Sequence, residues 1–558
     1  MNLFNNLPKG DPSCQEHPEN INIPHCFNST NLHTHGLWVS PSGNSDNIFL
    51  TVRPGVSFEH EYNIPADHPA GTFWYHPHLH GSTALQVSSG MSGALILRGD
   101  RMPTPEHVGD LDVLLRPTAE QPFRERIMLF QQLAYACRDD AGRIKTEPAD
   151  DDEGIWVCDK GDIGGVERYL GPVKPNQFGG GSWIWSGRHT SVNGRILPTI
   201  RGSKVGQFER WRMIHAGVRD TVSVEVRKLD ESADSIEGLS AFETADYIAR
   251  HCDEAHVPMH LVAADGLTMR QAQEVSHAVM QPGYRWDALV AFPEAGRYCL
   301  VDATDPPGGG LQGAEVIPPR LIGIIEVEDG AEPQGTAAEA LTAALVSAAE
   351  ANIAESIVAG VIADIEDGLQ LAAFSPHDDL VAEEIDGTQD VVYNIDITTD
   401  PVRYEVNGEV FSPDNIRQVR LGDVEDWVLS STWEGHPHHI HVNPFQIIEV
   451  LDPTGKDVSA PGAVDDFTGQ IDSQFAGMKG MWKDTIWVKN PKKSPDETYT
   501  VRVRTQYRRY IGSFVFHCHI LDHEDQGMMQ TVEIVLPDGR GGSMAHGHGA
   551  GGHGSGGH

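Results

Sequence analysis

Apolar and polar residues alternate in short bursts along most of the chain, punctuated by 58 Gly and 35 Pro. That pattern predicts many short strands separated by turns. Strand-like stretches include Ala94-Leu95-Ile96-Leu97, Arg320-Leu321-Ile322-Gly323-Ile324-Ile325-Glu326-Val327 and Tyr499-Thr500-Val501-Arg502-Val503-Arg504. One stretch follows a different period. Residues 336–367 are Ala-rich, with Leu341, Leu345, Ile353, Ile357, Val361 and Ile365 at four-residue spacing, the stripe of an amphipathic helix. Glu339, Glu350 and Glu355 interrupt it, so it is not a membrane span, and it is expected to dock on a core. No run of 18 apolar residues exists elsewhere, which excludes a transmembrane helix. At 558 residues the chain suggests three or four ordinary domains.

The candidate chemistry lies in His-x-His pairs. On a strand, alternate side chains share a face, so His517 and His519 point one way and Cys518, between them, the other. The same parity pairs His33 with His35, His76 with His78, and His439 with His441. His436 has the opposite parity to His439 and can reach the Cys518 side. His436, Cys518, His523 and Met528 then make up the two-His, one-Cys, long-Met set of a blue-copper site. Eight imidazoles arriving as four pairs suit three further coppers. A lone His is usually a hydrogen-bonded structural residue, but four pairs, one of them enclosing a Cys, are not explained that way.

All four motifs, in order and from His33 to Met528, resemble those of the multicopper oxidases, the family of laccases, bacterial copper efflux oxidases and bilirubin oxidases. The resemblance implies a type 1 copper at His436, Cys518, His523 and Met528. It implies a type 2 copper at His33 and His439, and a type 3 pair at His35, His76, His78, His441, His517 and His519. The implied reaction couples four one-electron oxidations of a substrate to reduction of O2 to two waters. Asp46 and Glu524 match the family's proton-supplying acids: Glu524 directly follows His523, and Asp46 lies in the loop after the first His-x-His, whose length varies among relatives. For either acid the alternative is a solvated carboxylate. His80 and His438 are read as supporting or surface groups, not ligands.

The resemblance further implies an all-β fold of three cupredoxin-like Greek-key sandwiches. Residues 1–105 are expected to form the first domain and 106–330 a copper-free second one, since no Cys-His set occurs there. Residues 331–385 form the helical linker and 386–538 the third domain, where Asn407-Gly408 echoes Asn193-Gly194. The three-copper cluster is expected between domains one and three. For the linker helix, a lid near the substrate end of the type 1 copper is the alternative to simple docking. Residues 539–558, rich in Gly and His, are expected to be disordered.

Cys518 aside, six cysteines remain, the even number an oxidising compartment gives. Cys14 with Cys26, Cys137 with Cys158, and Cys252 with Cys299 are expected to pair as sequence neighbours. The N-terminal segment is expected to be truncated, having lost an export signal, which points to a periplasmic or secreted protein; a short first domain in a cytoplasmic protein is the alternative. The 80 acids against 41 Lys plus Arg, a formal charge of −39, disfavour nucleic acid and anionic membranes as partners. A monomer is expected. Dioxygen and a small reductant are the implied partners, with a phenol first. The 13 Met form no dense cluster, which counts against a Cu(I) substrate. A metal-ion oxidase acting on Cu(I), Fe(II) or Mn(II) is the second reading, which Glu434 beside His436 favours. A copper-sequestering protein is the non-enzymatic one.

Overall fold

The computed structural model describes residues 1–14, 20–132, 135–147, 155–159, 162, 164–166, 188–303, 318–491 and 495–538. The Gly/His tail at 539–558 lies outside the described residues. The fold is mostly β, as the alternating pattern predicts. Among the described residues no helix is long and apolar enough to cross a membrane.

Two parts of the chain repeat one strand order. In the middle part a sheet runs, in spatial order, through Thr190–Val192, Arg124–Gln132, Glu209–His215, Arg285–Val290, Met259–Ala264 and Leu267–Val275. Further along, another runs through Arg403–Val406, Ile385–Asp396, Val424–Ser431, Thr500–Gln506, Phe445–Leu451 and Trp482–Lys483. In both, the second and third strands are parallel and the first is antiparallel to the second. Each first strand meets an Asn-Gly turn in the left-handed region, with φ of 52° and 74° at Asn193 and Gly194, and 52° and 79° at Asn407 and Gly408. The two asparagines also do the same job. Asn193 accepts from Leu129 N (2.9 Å) and donates to Ile127 O (2.8 Å), while Asn407 accepts from Val392 N (2.7 Å) and donates to Asp390 O (2.9 Å).

Each of these sheets shares a buried core with a second one. Met128, Trp211 and Trp286 pack in one cluster with Val224, Leu300 and Ile322; Val391, Trp427 and Val503 join Ile486, Phe514 and Cys518. In the two second sheets, Gly296–Asp302 (GRYCLVD) and Gly512–Cys518 (GSFVFHC) are corresponding seven-residue strands. Asp302 therefore stands where Cys518 does. Its strand neighbour across the ladder is Val224, where Cys518 has His438. The middle part thus keeps the scaffold and lacks the thiolate.

The first part of the chain contributes a three-stranded sheet of His33–His35, Gly71–His76 and Gly93–Leu97. A smaller pair joins Asn2–Phe4 to Ser57–Glu59. The expected stripe at 336–367 forms two helices, Ala337–Asn352 and Val358–Glu366, not one. The first begins in a capping box between Thr336 and Glu339. It ends where the Asn352 amide turns outward to donate to Leu114 O (3.1 Å) and Arg116 O (3.0 Å), a tertiary anchor that no helical periodicity reveals. Leu341, Leu345, Val361 and Ile365 dock on Leu111, Val113, Phe208 and Leu289, and none of the expected type 1 residues belongs to that cluster. The three disulfides join Cys14 to Cys26, Cys137 to Cys158 and Cys252 to Cys299, as expected, and Cys518 is free and buried.

Candidate metal centre

Register brings the pairs together. In the first part His33 lies opposite His76 across an antiparallel ladder. In the last part His439 lies opposite His517, and His438 opposite Cys518. Four fully buried groups made of His and Cys alone follow, each with ligand atoms within 4.8 Å of one another: His33, His35 and His439; His35, His76 and His519; His78, His441 and His517; and His436, Cys518 and His523. The first three each combine residues from strands near the start of the chain with residues near its end. The fourth lies on the other side of the Cys518 strand. His436 Nδ1 is 3.4 Å and His523 Nδ1 3.9 Å from Cys518 Sγ. Met528 is fully buried, its carbonyl accepts from Cys518 N (3.0 Å) and its N–H donates to His523 O (3.0 Å).

Ring orientation is fixed by hydrogen bonds on the outer nitrogens. His33 Nδ1 donates to Asp46 (2.9 Å), His76 Nδ1 to Pro77 O (2.8 Å), His439 Nδ1 to Asp484 O (3.0 Å) and His517 Nδ1 to Cys518 O (3.0 Å). A neutral imidazole that donates through Nδ1 presents a lone pair at Nε2. His33, His76 and His439 Nε2 are buried without a hydrogen-bond partner. His517 Nε2 lies 3.1 Å from His78 Nε2 and 3.4 Å from His441 Nε2. His436 uses the opposite tautomer, donating through Nε2 to Trp433 O (2.9 Å) and turning Nδ1 to the thiol. Burial lowers the pKa of His35, His76, His78, His441, His517, His519 and His523 well below the usual value, and takes His436 down to about 4. Neutral, inward-facing lone pairs without partners are the donor set that copper takes. The residues fit the metal.

Both expected acids sit against this set. Asp46 holds His33 by one oxygen and accepts from Thr34 N (2.7 Å) by the other. Glu524 places its two oxygens 3.3 Å from Nδ1 of His78 and of His517, and accepts from Thr83 Oγ1 (3.1 Å). Its complete burial, with Asp525 adjacent, raises its pKa well above the usual carboxyl range. Neither acid is solvated: Asp46 is 3% and Glu524 0% exposed.

A third acid was not legible in the sequence. Asp484 lies 3.2 Å from His35 Nε2 and forms an ion pair with Arg285 at 2.5 Å. Burial would raise its pKa, but Arg285 and His35 outweigh burial and hold it well below the usual value. Arg285 comes from the middle part, as does Asp265, which accepts from Asp484 N and Thr485 N (3.1 Å each) and pairs with Lys483 at 3.0 Å. Gly36 makes room for this crossing, because a Cβ there would lie 2.4 Å from Arg285 Nη2, and its φ of +89° suits glycine. No motif marks Asp484; the aspartate following Trp482-Lys483 has no spacing relation to the histidines. Tyr404 was also missed as a site residue. Its ring lies 4.8 Å from that of His523, which is itself only 1% exposed. His438 is buried and His80 half-buried: His80 Nε2 lies 3.0 Å from Asn22 Oδ1, and His438 Nδ1 lies 2.7 Å from the Tyr393 hydroxyl.

Comparison with known proteins agrees with this geometry. Two family models, both described as multicopper oxidase, match residues 22–101 and 384–537. A laccase of Bacillus stratosphericus is 32% identical over 117 residues, 21% of this chain and 21% of that protein. A bilirubin oxidase of Albifimbria verrucaria is 30% identical over 141 residues, 24% of this chain and 21% of that protein. These curated relatives are thus matched over about a fifth of their length. Among solved structures, a multicopper oxidase from Campylobacter jejuni described as a metallo-oxidase superposes with a TM-score of 0.56 at 18% identity, covering 91% of this chain and 80% of that one. A variant of the multicopper oxidase McoA from Aquifex aeolicus gives 0.55 at 18% identity, covering 91% and 84%. At such identity the superpositions speak for the fold, and the two family models for descent: the chain belongs to the multicopper oxidase family.

Proposed function

We propose that this chain is a laccase-like oxidase that takes single electrons from a phenolic reductant and, with protons, reduces dioxygen to two waters. The observation that supports it is the juxtaposition of three buried imidazole groups with the His436, Cys518 and His523 group, two of the three being joined to it by the tripeptide His517-Cys518-His519. In this reading His436, Cys518, His523 and Met528 hold a type 1 copper. His33 and His439 hold a type 2 copper, and His35, His76, His78, His441, His517 and His519 a type 3 pair, four ions in all. Bound copper supplies the one-electron redox chemistry at both ends.

The chain's own groups do the rest. His517 is bonded covalently to Cys518 and donates through Nδ1 to its carbonyl (3.0 Å), so the two sides of the strand are coupled twice. Glu524, whose pKa burial raises, stands 3.3 Å from two cluster histidines as the candidate proton donor, and Asp46 fixes the ring of His33. Three disulfides favour an oxidising compartment, periplasmic or secreted.

A metal-ion oxidase is the second reading. Glu434 and Asp522 favour it: both carboxylates act electrostatically on Arg219 and Tyr404, beside His523. Oxygen uptake by the copper-loaded protein with dimethoxyphenol, Cu(I) and Fe(II) separates the readings. Saturable turnover fastest with the phenol supports the first, and faster turnover with a metal ion replaces it by the second. No turnover with any of them leaves a copper-sequestering protein.

A further inference from the structure

The passage beside Asp484 opens outward into a chamber of about 570 Å³, within the range of small-molecule sites. Its wall is assembled from distant stretches, among them Trp38, the segment around His377 that follows the two helices, Asn443 and Trp482. An inner space lined by Trp38, Val442, Asn443 and Pro444, residues it shares with the chamber, reaches Gly36 and Asp484. That neck holds only about 10 Å³, roughly one water, so an organic molecule entering from outside stops in the chamber.

The chamber is aromatic and rich in unused donors. The His377 ring lies between two indoles, 4.7 Å from Trp38 and 4.4 Å from Trp482. Asn443 Nδ2, Trp482 Nε1 and His377 Nε2 are all buried without a hydrogen-bond partner. Asn443 is only 4% exposed. Leaving such groups unpaired is costly, so a ligand that pairs them gains that back. An indole N–H and an amide NH2 can only donate. The charged groups, by contrast, are balanced: Arg101 pairs with Asp110 (2.5 Å) and Arg509 with Asp67 (2.6 Å), while Arg508 shares the lining with the acids Asp378 and Glu106. With no surplus of positive charge, and a chain of net charge −39, an anion is not the favoured guest.

The geometry points to a second ligand site here, separate from the His523 end, for a flat uncharged aromatic that carries an acceptor oxygen, an aryl ketone or quinone in chemical class. The ring lies against the aromatic wall, and the oxygen takes the hydrogen bonds of Asn443 and Trp482. This assignment does not depend on the oxidase reading, because binding is measured without turnover.

The test is calorimetric titration of the copper-loaded protein with acetophenone, ethylbenzene and benzoate, which share a ring and differ in the acceptor and the charge. Saturable acetophenone binding is expected, tighter than either of the others. W482F, which keeps an aromatic ring and removes only the N–H, and N443L, which removes the amide, are each expected to weaken acetophenone about three- to tenfold. Ethylbenzene binding should not respond to W482F. Unchanged type 1 absorption and circular dichroism show that the variants are folded. The proposal is overturned by absence of saturable acetophenone binding, by ethylbenzene or benzoate binding as tightly, or by acetophenone binding that neither variant alters.

Discussion

Arg285 and Asp484 form a buried ion pair at 2.5 Å, the guanidinium fully buried and the carboxylate side chain 7% exposed, across the junction of the middle and last parts of the chain. The same carboxylate touches His35, so the middle part, which offers no imidazole to the four donor groups, sets the position of one that does.

Removing one partner of a buried pair strands the other charge. R285M is expected to destabilise the protein by about 3–5 kcal/mol and to loosen His35. Denaturant unfolding of the metal-free protein reads the first effect. Electron paramagnetic resonance of the copper-loaded protein reads the second, as a signal from type 3 copper that the intact, coupled pair does not give. An unchanged unfolding midpoint refutes the structural role.

C518S is expected to lose the blue absorption and all oxidase activity while copper stays bound at the three histidine groups. Copper analysis alongside the spectrum checks this. Retained activity means that Cys518 is not the point of electron entry.

Glu524 and Thr83 are hydrogen-bonded at 3.1 Å, deep below the surface. E524Q keeps that shape and removes the ionisable proton. Steady-state oxygen uptake should fall by about 10²–10⁴-fold, with anaerobic reduction of the type 1 copper unaffected. If the anaerobic step slows equally, the residue acts on the wrong half of the cycle.

M528L is expected to raise the type 1 potential, because a weak sulfur donor to the oxidised metal is lost. Spectroelectrochemical titration gives the sign, and a lowered potential rules out Met528 as the axial group.

Asp302 titrates in the opposite sense to a salt-bridged acid. Burial, reinforced by Asp220 and opposed by Ser223 N–H and Arg320, raises its pKa from 3.8 to about 7. The folded state then holds a proton that the unfolded chain releases, so stability is lost as pH rises from about 4 to 7. The slope from this one group approaches about 1.4 kcal/mol per pH unit. D302N removes it: unfolding free energies of the variant and the parent should diverge across that window, and parallel curves contradict the assignment.

The parts of the site that were legible in the sequence are those fixed by local periodicity. His-x-His on a strand dictates a shared face, and the Cys518 run dictates two faces, so the four donor groups could be assembled from spacing and resemblance. Asp484, Arg285 and Tyr404 could not. Each reaches the site by a tertiary crossing, Arg285 from a residue 199 positions away from its partner. The helical stripe was read at the right place, but its break at Asn352 depends on carbonyls at Leu114 and Arg116 that only the folded chain presents. Disulfide pairing by neighbours succeeded because short loops close within single parts of the fold.

The correspondence between Gly296–Asp302 and Gly512–Cys518 gives the molecule an internal control. Two sandwiches of one design sit in one chain, one furnished with a thiol and imidazoles and the other with a carboxylic acid. Whatever both halves display, such as strand order, the Asn-Gly clamp or core packing, belongs to the scaffold and is indifferent to metal. Whatever only the last part displays is owed to a handful of side chains. Hydrogen exchange measured on the two strands in the presence and absence of copper would therefore separate, within a single sample, the rigidity that the architecture confers from the rigidity that the metal adds.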